Sequence, residues 1–107
     1  MNELAKKIHE DTKAHGFWNG ERNFGEVIAL IHSELSEALE EYRKGKEYNE
    51  TYYEADGKPC GIPSELADAI IRILDFCGAE NVDIDKIIEQ KIDYNKKRPY
   101  KNGNKRF

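Results

Sequence analysis

Apolar residues recur at the three- and four-residue spacing of amphipathic helices in four segments of the chain. The first predicted helix covers residues 2–15, has a thin apolar stripe and ends at Gly16. The second begins after Asn23, which resembles the first residue of a capping box, and continues to Gly45. The residues predicted to face the core in this helix form one stripe, centred on Phe24, Leu35 and Tyr42. The other members of the stripe are Val27, Ile28, Ile31, Ala38 and Leu39.

Two further helices are predicted in the second half of the chain. The third begins at Pro63 and runs to about Gly78, and the fourth covers about residues 84–97, after the capping residue Asp83 and before Pro99. The core stripe predicted for the third helix is Leu66, Ile70, Ile73 and Cys77. This helix is apolar more than halfway round, which predicts a homo-oligomer with an interface on its spare face.

Residues 45–62 lose the helical period and carry Gly57, Pro59 and Gly61, which predicts a long loop with room for a short hairpin. Its tyrosines are interpreted either as a lid over a substrate or as contacts with a partner subunit: Tyr48, Tyr52 and Tyr53. The pattern therefore predicts one all-α domain over residues 1–107, a four-helix bundle-type protomer with a long loop between its second and third helices.

Composition narrows the class of protein further. The 107 residues are 36% charged, with a net charge of −4, and contain no apolar run near the length of a membrane span. We therefore expect a cytoplasmic protein without membrane contact. Cys60 and Cys77 form no metal-binding or redox motif. Six basic residues and no acid occur from Lys96 onward, so residues 99–107 are read as a solvated tail, or one that folds over phosphates, rather than a nucleic-acid contact.

Two acidic pairs are the strongest candidates for chemistry. Glu34 and Glu37 on the second helix, and Glu65 and Asp68 on the third, are each spaced three residues apart, so each pair shares a helix face. If the two faces are opposed, four carboxylates meet and repel one another unless a cation joins them. Oxygen ligands favour Mg²⁺, with Mn²⁺ as the alternative, and Mg²⁺ bound by carboxylates commonly shares its sphere with phosphates.

Cationic and aromatic residues supply candidate contacts for such a ligand. The inward stripe of the fourth helix changes from isoleucines to Lys91, Asn95 and Arg98, which predicts either phosphate contacts or salt bridges with the carboxylates. Arg72 is interpreted as an intrahelical ion pair with Asp68 or as a phosphate contact. Two adjacent aromatics could stack on a base, although hydrophobic plugs at the bundle end are the favoured interpretation: Phe17 and Trp18.

These motifs together resemble MazG-like nucleoside triphosphate pyrophosphohydrolases, part of an all-α group with the dimeric dUTP pyrophosphatases and phosphoribosyl-ATP pyrophosphatases. The resemblance spans nearly the whole chain and rests on HGFW, ExxE…ExxD, GIPSELADAIIRILD and KIDYNKKRP. It implies a helical bundle that forms a dimer or dimer of dimers and hydrolyses a nucleoside triphosphate to the monophosphate and pyrophosphate.

The resemblance also implies roles for particular residues. Mg²⁺ would lie on the four residues of the acidic pairs, and Glu34 or Glu37 would position or deprotonate the attacking water. The remaining implied contacts are Lys91, Asn95 and Arg98 for the phosphates, and Trp18 with Phe17 near the base.

One position departs from the family pattern, because Ser33 stands where many members have a further glutamate. Glu41, one turn after Glu37, is the candidate substitute. The alternative function is a non-catalytic helical protein that binds nucleotide, nucleic acid or a protein partner. A di-iron carboxylate bundle ranks third, since no histidine lies three residues after Glu34 or Glu65.

Overall fold

The computed structural model of this protein describes residues 1–20 and 22–98. Its elements, in chain order, are α1 (Asn2–Ala14), α2 (Phe24–Arg43), β1 (Tyr52–Tyr53), β2 (Pro59–Cys60), α3 (Ile62–Ala79) and α4 (Ile84–Lys96). The all-α class is confirmed, and the predicted loop between α2 and α3 contains a small antiparallel hairpin that pairs Tyr52 with Cys60. The basic tail predicted over residues 99–107 lies outside the described residues.

Side-chain caps define where two of the helices begin. The Asn23 carboxamide oxygen accepts a 2.8 Å hydrogen bond from the Glu26 backbone N–H, and the Asp83 carboxylate accepts one of 3.2 Å from Lys86. Each cap satisfies a backbone donor that has no partner inside its helix. The predicted starts of α2 and α4 are therefore confirmed.

The central helix is α3, which packs against α1 on one side and against α2 on the other. Two small apolar clusters fill these contacts. Between α1 and α3 the buried residues are Ala5, Leu74 and Cys77, and between α2 and α3 they are Val27, Ile31 and Ala69.

Gly78 allows α1 to approach α3 closely. A Cβ atom at this position would overlap the carbonyl oxygen of Ala5 and lie 2.9 Å from the Cβ of His9. Any larger residue would therefore push the two helices apart.

The predicted centre of the core stripe on α2 is wrong, although three of its apolar residues are buried as expected, namely Val27, Ile31 and Ala38. Phe24, Leu35 and Tyr42 are 58%, 46% and 54% exposed. The buried stripe instead contains two carboxylates and lies roughly 60–80° further round the helix: Val27, Ile31, Glu34, Ala38 and Glu41. The helix turns its smaller and acidic residues towards α3, which leaves its largest apolar side chains outside.

The stripe predicted for α3 is wrong for the same kind of reason. Of its four residues only Cys77 is buried, because α3 lies between two helices and buries two separate sectors. The helices α2 and α3 run antiparallel, and Phe24 near the start of α2 contacts Phe76 near the end of α3, with 5.1 Å between ring centroids. Their exposed side chains consequently share one side of the pair. We call this surface the apolar face: Phe24, Leu35, Leu39, Tyr42, Leu66, Ile70 and Ile73.

The fourth helix lies at the periphery of the chain. None of its residues is buried, and it is attached mainly by its first turn, where Ile84 packs on the Ala5 cluster and the Asp83 carboxylate accepts a hydrogen bond from the Asn2 side chain. A single chain therefore contains three packed helices and a peripheral fourth instead of a closed four-helix bundle. None of the described helices has the length and apolar character needed to cross a membrane.

Candidate metal centre

Three glutamates from α2 and α3 meet where these antiparallel helices are packed. One carboxylate oxygen from each of Glu34, Glu37 and Glu65 lies within 4.8 Å of the other two. Glu34 and Glu65 are buried, whereas Glu37 is exposed. The three-residue spacing on α2 points its two carboxylates at one place, and Glu65 faces them from α3. The structure thus brings together three of the four predicted metal ligands.

The fourth predicted ligand, Asp68, lies one helical turn beyond Glu65 and is exposed. It is not part of the group of three, but it lines the same cleft as Glu34. Its charge also acts on the group, since Asp68 is among the residues that disfavour the ionised form of Glu65. Asp68 therefore lies at the rim of the three glutamates, and we call these four residues together the acidic cluster.

The cluster makes ionisation of Glu65 unfavourable. Burial raises the pKa of Glu65 to about 7, with further contributions from a hydrogen bond with Glu37 and from the negative charges of Glu37, Asp68 and Glu34. Without a cation, the Glu65 carboxyl therefore retains a proton near neutral pH. A divalent cation would replace that proton.

Glu34 provides the test of whether these residues fit a metal ion. Its Oε1 accepts a 3.1 Å hydrogen bond from Nε of Arg72, but its buried Oε2 has no hydrogen-bond partner among the described residues. Leaving such an acceptor unsatisfied costs about 1–3 kcal/mol or more. An oxygen-only donor set with one unpaired buried oxygen fits a hard cation such as Mg²⁺ or Mn²⁺.

A cleft of about 300 Å³ opens beside Glu34, between α1, α3 and the segment that follows α1. Arg72 is the one cationic side chain among the described residues that line it. Its pairing with Glu34 crosses from α3 to α2 and replaces the intrahelical pair with Asp68 considered above. The other lining residues are Thr12, Phe17, Asp68, Ile71 and Asp75.

Asp75, which the sequence analysis did not single out, is the most buried acid among the described residues, at 4% exposure. Its Oδ1 accepts hydrogen bonds from the hydroxyl of Thr12 at 2.7 Å and the indole N–H of Trp18 at 3.1 Å, and lies 2.9 Å from Nδ1 of His9. The signal was present in the sequence, because Asp75 follows Asp68 by two helical turns.

The two adjacent aromatics have different positions. Trp18 uses its N–H on Asp75 and packs its ring on the cluster of Val27 and its neighbours, which supports the interpretation as a plug. Phe17 lines the cleft, and the Arg22 guanidinium lies 4.0 Å from its ring centroid. Of the two, Phe17 is therefore the residue placed for contact with a ligand.

The polar residues predicted on the inward stripe of the fourth helix do not face the carboxylates within one chain. Lys91, Asn95 and Arg98 are all exposed on or just after α4, and none lines the cleft described above. The reason is the attachment of α4 by its first turn, which directs the later turns away from the carboxylates.

Glu41 is buried, and both of its carboxylate oxygens lie within 2.9 Å of the Tyr52 hydroxyl, which donates to one of them. This hydrogen bond raises the pKa of Tyr52 to about 12 and attaches the hairpin to α2. Glu41 is therefore occupied and does not replace the acid missing at Ser33, whose hydroxyl donates to the Leu30 carbonyl. Tyr53 is 68% exposed.

Comparisons with protein-family models, with curated proteins and with solved structures found no match to this chain. The functional assignment consequently depends on the geometry of the carboxylates and the cleft, together with the motif residues.

Proposed function

We propose that this protein is a Mg²⁺-dependent nucleotide pyrophosphohydrolase of the MazG-like kind, which converts a nucleoside triphosphate to the monophosphate and pyrophosphate. The observation that carries the proposal is the meeting of three glutamates beside a cleft, with Oε2 of Glu34 buried and unpaired among the described residues. Nucleoside triphosphates occur in the cytoplasm, which is the location we propose.

We assign different side chains to metal binding, to water activation and to base binding. Glu34, Glu37 and Glu65 would hold the cation, with Asp68 at the rim, and Mn²⁺ would be the alternative to Mg²⁺. Bound there, Mg²⁺ supplies positive charge against the triphosphate oxygens. Glu37, the exposed carboxylate of the three, would accept a proton from the attacking water. The Phe17 ring, which lines the cleft, would stack on the base.

A panel assay tests this function. We expect pyrophosphate release from at least one canonical or modified nucleoside triphosphate in the presence of Mg²⁺, and no release when EDTA removes the metal, because the carboxylates alone repel a triphosphate. Release that continues in EDTA, or no turnover of any nucleotide, would contradict the proposal. Nucleotide binding without turnover would favour the non-catalytic alternative.

We further propose that a second copy of the chain covers the apolar face, giving a dimer or a dimer of dimers. Each of its large side chains is at least 41% exposed in a single chain, which is unusual for so many neighbouring apolar groups on a monomer. The residues of α4 also require a second copy if they are to reach a cleft: Lys91, Asn95 and Arg98.

Ile70→Glu tests this assembly, because it places a charge in the middle of the apolar face. In sedimentation equilibrium the wild type is expected at two or four times the chain mass of 12.4 kDa, and the variant at a lower multiple. Leu4→Glu changes an apolar side chain of α1 that is 50% exposed outside the apolar face and serves as the control. A wild-type mass of one chain would exclude the assembly.

A further inference from the structure

Arg72 occupies an unusual position, because it connects the candidate metal ligands to the cleft. Its Nε donates a 3.1 Å hydrogen bond to Oε1 of Glu34, on the neighbouring helix. Its side chain is 30% exposed and lines the cleft together with Thr12 of α1. The guanidinium is therefore anchored at one nitrogen while part of it remains accessible.

The remaining donors of this guanidinium are available to a ligand. Arginine carries five N–H donors, and the hydrogen bond from Nε is the one that Arg72 makes within the described part of the chain. The four N–H groups on its two terminal nitrogens therefore have no protein acceptor there. Such a planar fork matches the oxygens of a phosphate group.

The charges around Arg72 also favour an anion next to it. The cleft is lined by three carboxylates, Glu34, Asp68 and Asp75, and Arg72 is its one described cation. A ligand with several negative charges would be repelled from every other charged group of the lining. Its phosphate oxygens can bind in only two places, next to the metal ligands once these hold a cation, and next to Arg72.

We infer that Arg72 binds the phosphate groups of the substrate through its terminal nitrogens, while its Nε stays hydrogen-bonded to Oε1 of Glu34. The inference rests on the proposed function for the identity of the substrate, but it assigns a phosphate-binding residue that lies within the chain's own cleft. It also couples metal binding to anion binding, because one guanidinium contacts both a metal ligand and the anion.

Calorimetric titration with inorganic pyrophosphate, in millimolar Mg²⁺, tests the inference without requiring turnover. Arg72→Gln is expected to weaken pyrophosphate binding by about 10- to 100-fold, the usual effect of losing charge-assisted hydrogen bonds. In the absence of pyrophosphate, Mn²⁺ affinity measured by electron paramagnetic resonance should be equal to or tighter than that of the wild type, because a cation beside Glu34 has been removed.

The matched control is Arg43→Gln, which removes an exposed arginine paired with Glu40 on the same α2 helix that carries Glu34. It should leave both affinities unchanged. If Arg72→Gln does not fold, Arg72→Lys keeps a cation next to Glu34 and should still lose pyrophosphate affinity, since an ammonium lacks the planar fork.

Two results would overturn the inference. One is pyrophosphate binding at wild-type affinity in the folded Arg72 variant. The other is a parallel loss of Mn²⁺ and pyrophosphate affinity, which would show that Arg72 acts only by orienting Glu34. Failure of the proposed function is distinguishable, because an inactive wild type that binds pyrophosphate through Arg72 would retain this site and lose only the hydrolysis.

Discussion

Glu65→Gln is expected to lose pyrophosphate release by at least about 100-fold, and at the same time to make the metal-free protein more stable at pH 8. Loss of groups that merely support a metal ligand commonly costs 10- to 100-fold, so loss of a ligand should reach the upper end of that range. The gain in stability follows from the acidic cluster, in which an ionised Glu65 is unfavourable.

The pH dependence gives this prediction a second signature. Because the pKa of Glu65 is raised to about 7 in the folded protein, its stabilising contribution is complete below the unfolded pKa of about 4.3 and is lost as the pH rises towards 7. Glutamine has no charge to lose. The melting temperatures of the two proteins in EDTA should therefore converge near pH 4 and differ most above pH 7.

The matched control for Glu65→Gln is Glu40→Gln, which neutralises an exposed glutamate of α2 that lies outside the group of three. It should preserve turnover and show little pH-dependent difference in melting temperature. An active Glu65→Gln protein, or one that is less stable than the wild type at pH 8 in EDTA, would contradict the role assigned to this carboxylate.

Asp75→Ala is expected to lower the free energy of unfolding by about 3 kcal/mol, the range found when one partner of a buried polar network is removed. The substitution removes the carboxylate that accepts from both the Thr12 hydroxyl and the Trp18 indole N–H, in a site where Asp75 is 4% exposed. Each donor keeps only a longer contact with a neutral acceptor, the His9 carbonyl at 3.1 Å for Thr12 and the Thr12 hydroxyl at 3.2 Å for Trp18. In a domain of this size the melting temperature should fall by about 12–24 °C, which differential scanning calorimetry can measure.

Asp93→Ala is the control for Asp75→Ala, because it removes an exposed aspartate from α4. Trp18→Phe should show a smaller loss than Asp75→Ala, since it removes one donor of the network and keeps an aromatic ring. A loss for Asp75→Ala no larger than that for Asp93→Ala would show that the network does not hold α1 against α3.

The ends of the helices could be predicted from the sequence because they depend on local chemistry. Asn23 and Asp83 each cap the backbone three residues later, within reach of their own side chains. The acidic pairs were predictable for a similar reason, since a spacing of three residues determines that two carboxylates share a helix face. Neither prediction needs knowledge of a neighbouring element.

The direction in which each helix faces could not be predicted in this way. Apolarity alone placed Phe24, Leu35 and Tyr42 on the core-facing stripe of α2, whereas the folded chain exposes them and buries Glu34 and Glu41. Summed hydrophobicity assigns the largest apolar residues to the core of one chain. It does not distinguish that core from a surface that a second copy would cover. It also counts every buried glutamate as unfavourable, whether or not a hydrogen-bond donor or a cation is available to its carboxylate.

Contacts between helices could not be predicted from the sequence pattern either. The pairing of Arg72 with Glu34 depends on how α3 is aligned along α2, and the network around Asp75 depends on how α1 crosses α3. The periodicity of α4 predicted one stripe of Lys91, Asn95 and Arg98 but did not reveal that these residues do not line the chain's own cleft. Such outcomes require the distances between elements.

Gly78 has a consequence for how distant relatives of this chain could be recognised. Its missing side chain lets α1 lie against α3 at the level of Ala5, and one to two turns further along the same contact Thr12 and Asp75 line the cleft. The width of the cleft therefore depends on a residue that carries no functional group. A search profile that weights the glycine three positions after Asp75 as strongly as the acidic pairs would select for the shape of the site as well as for its charge.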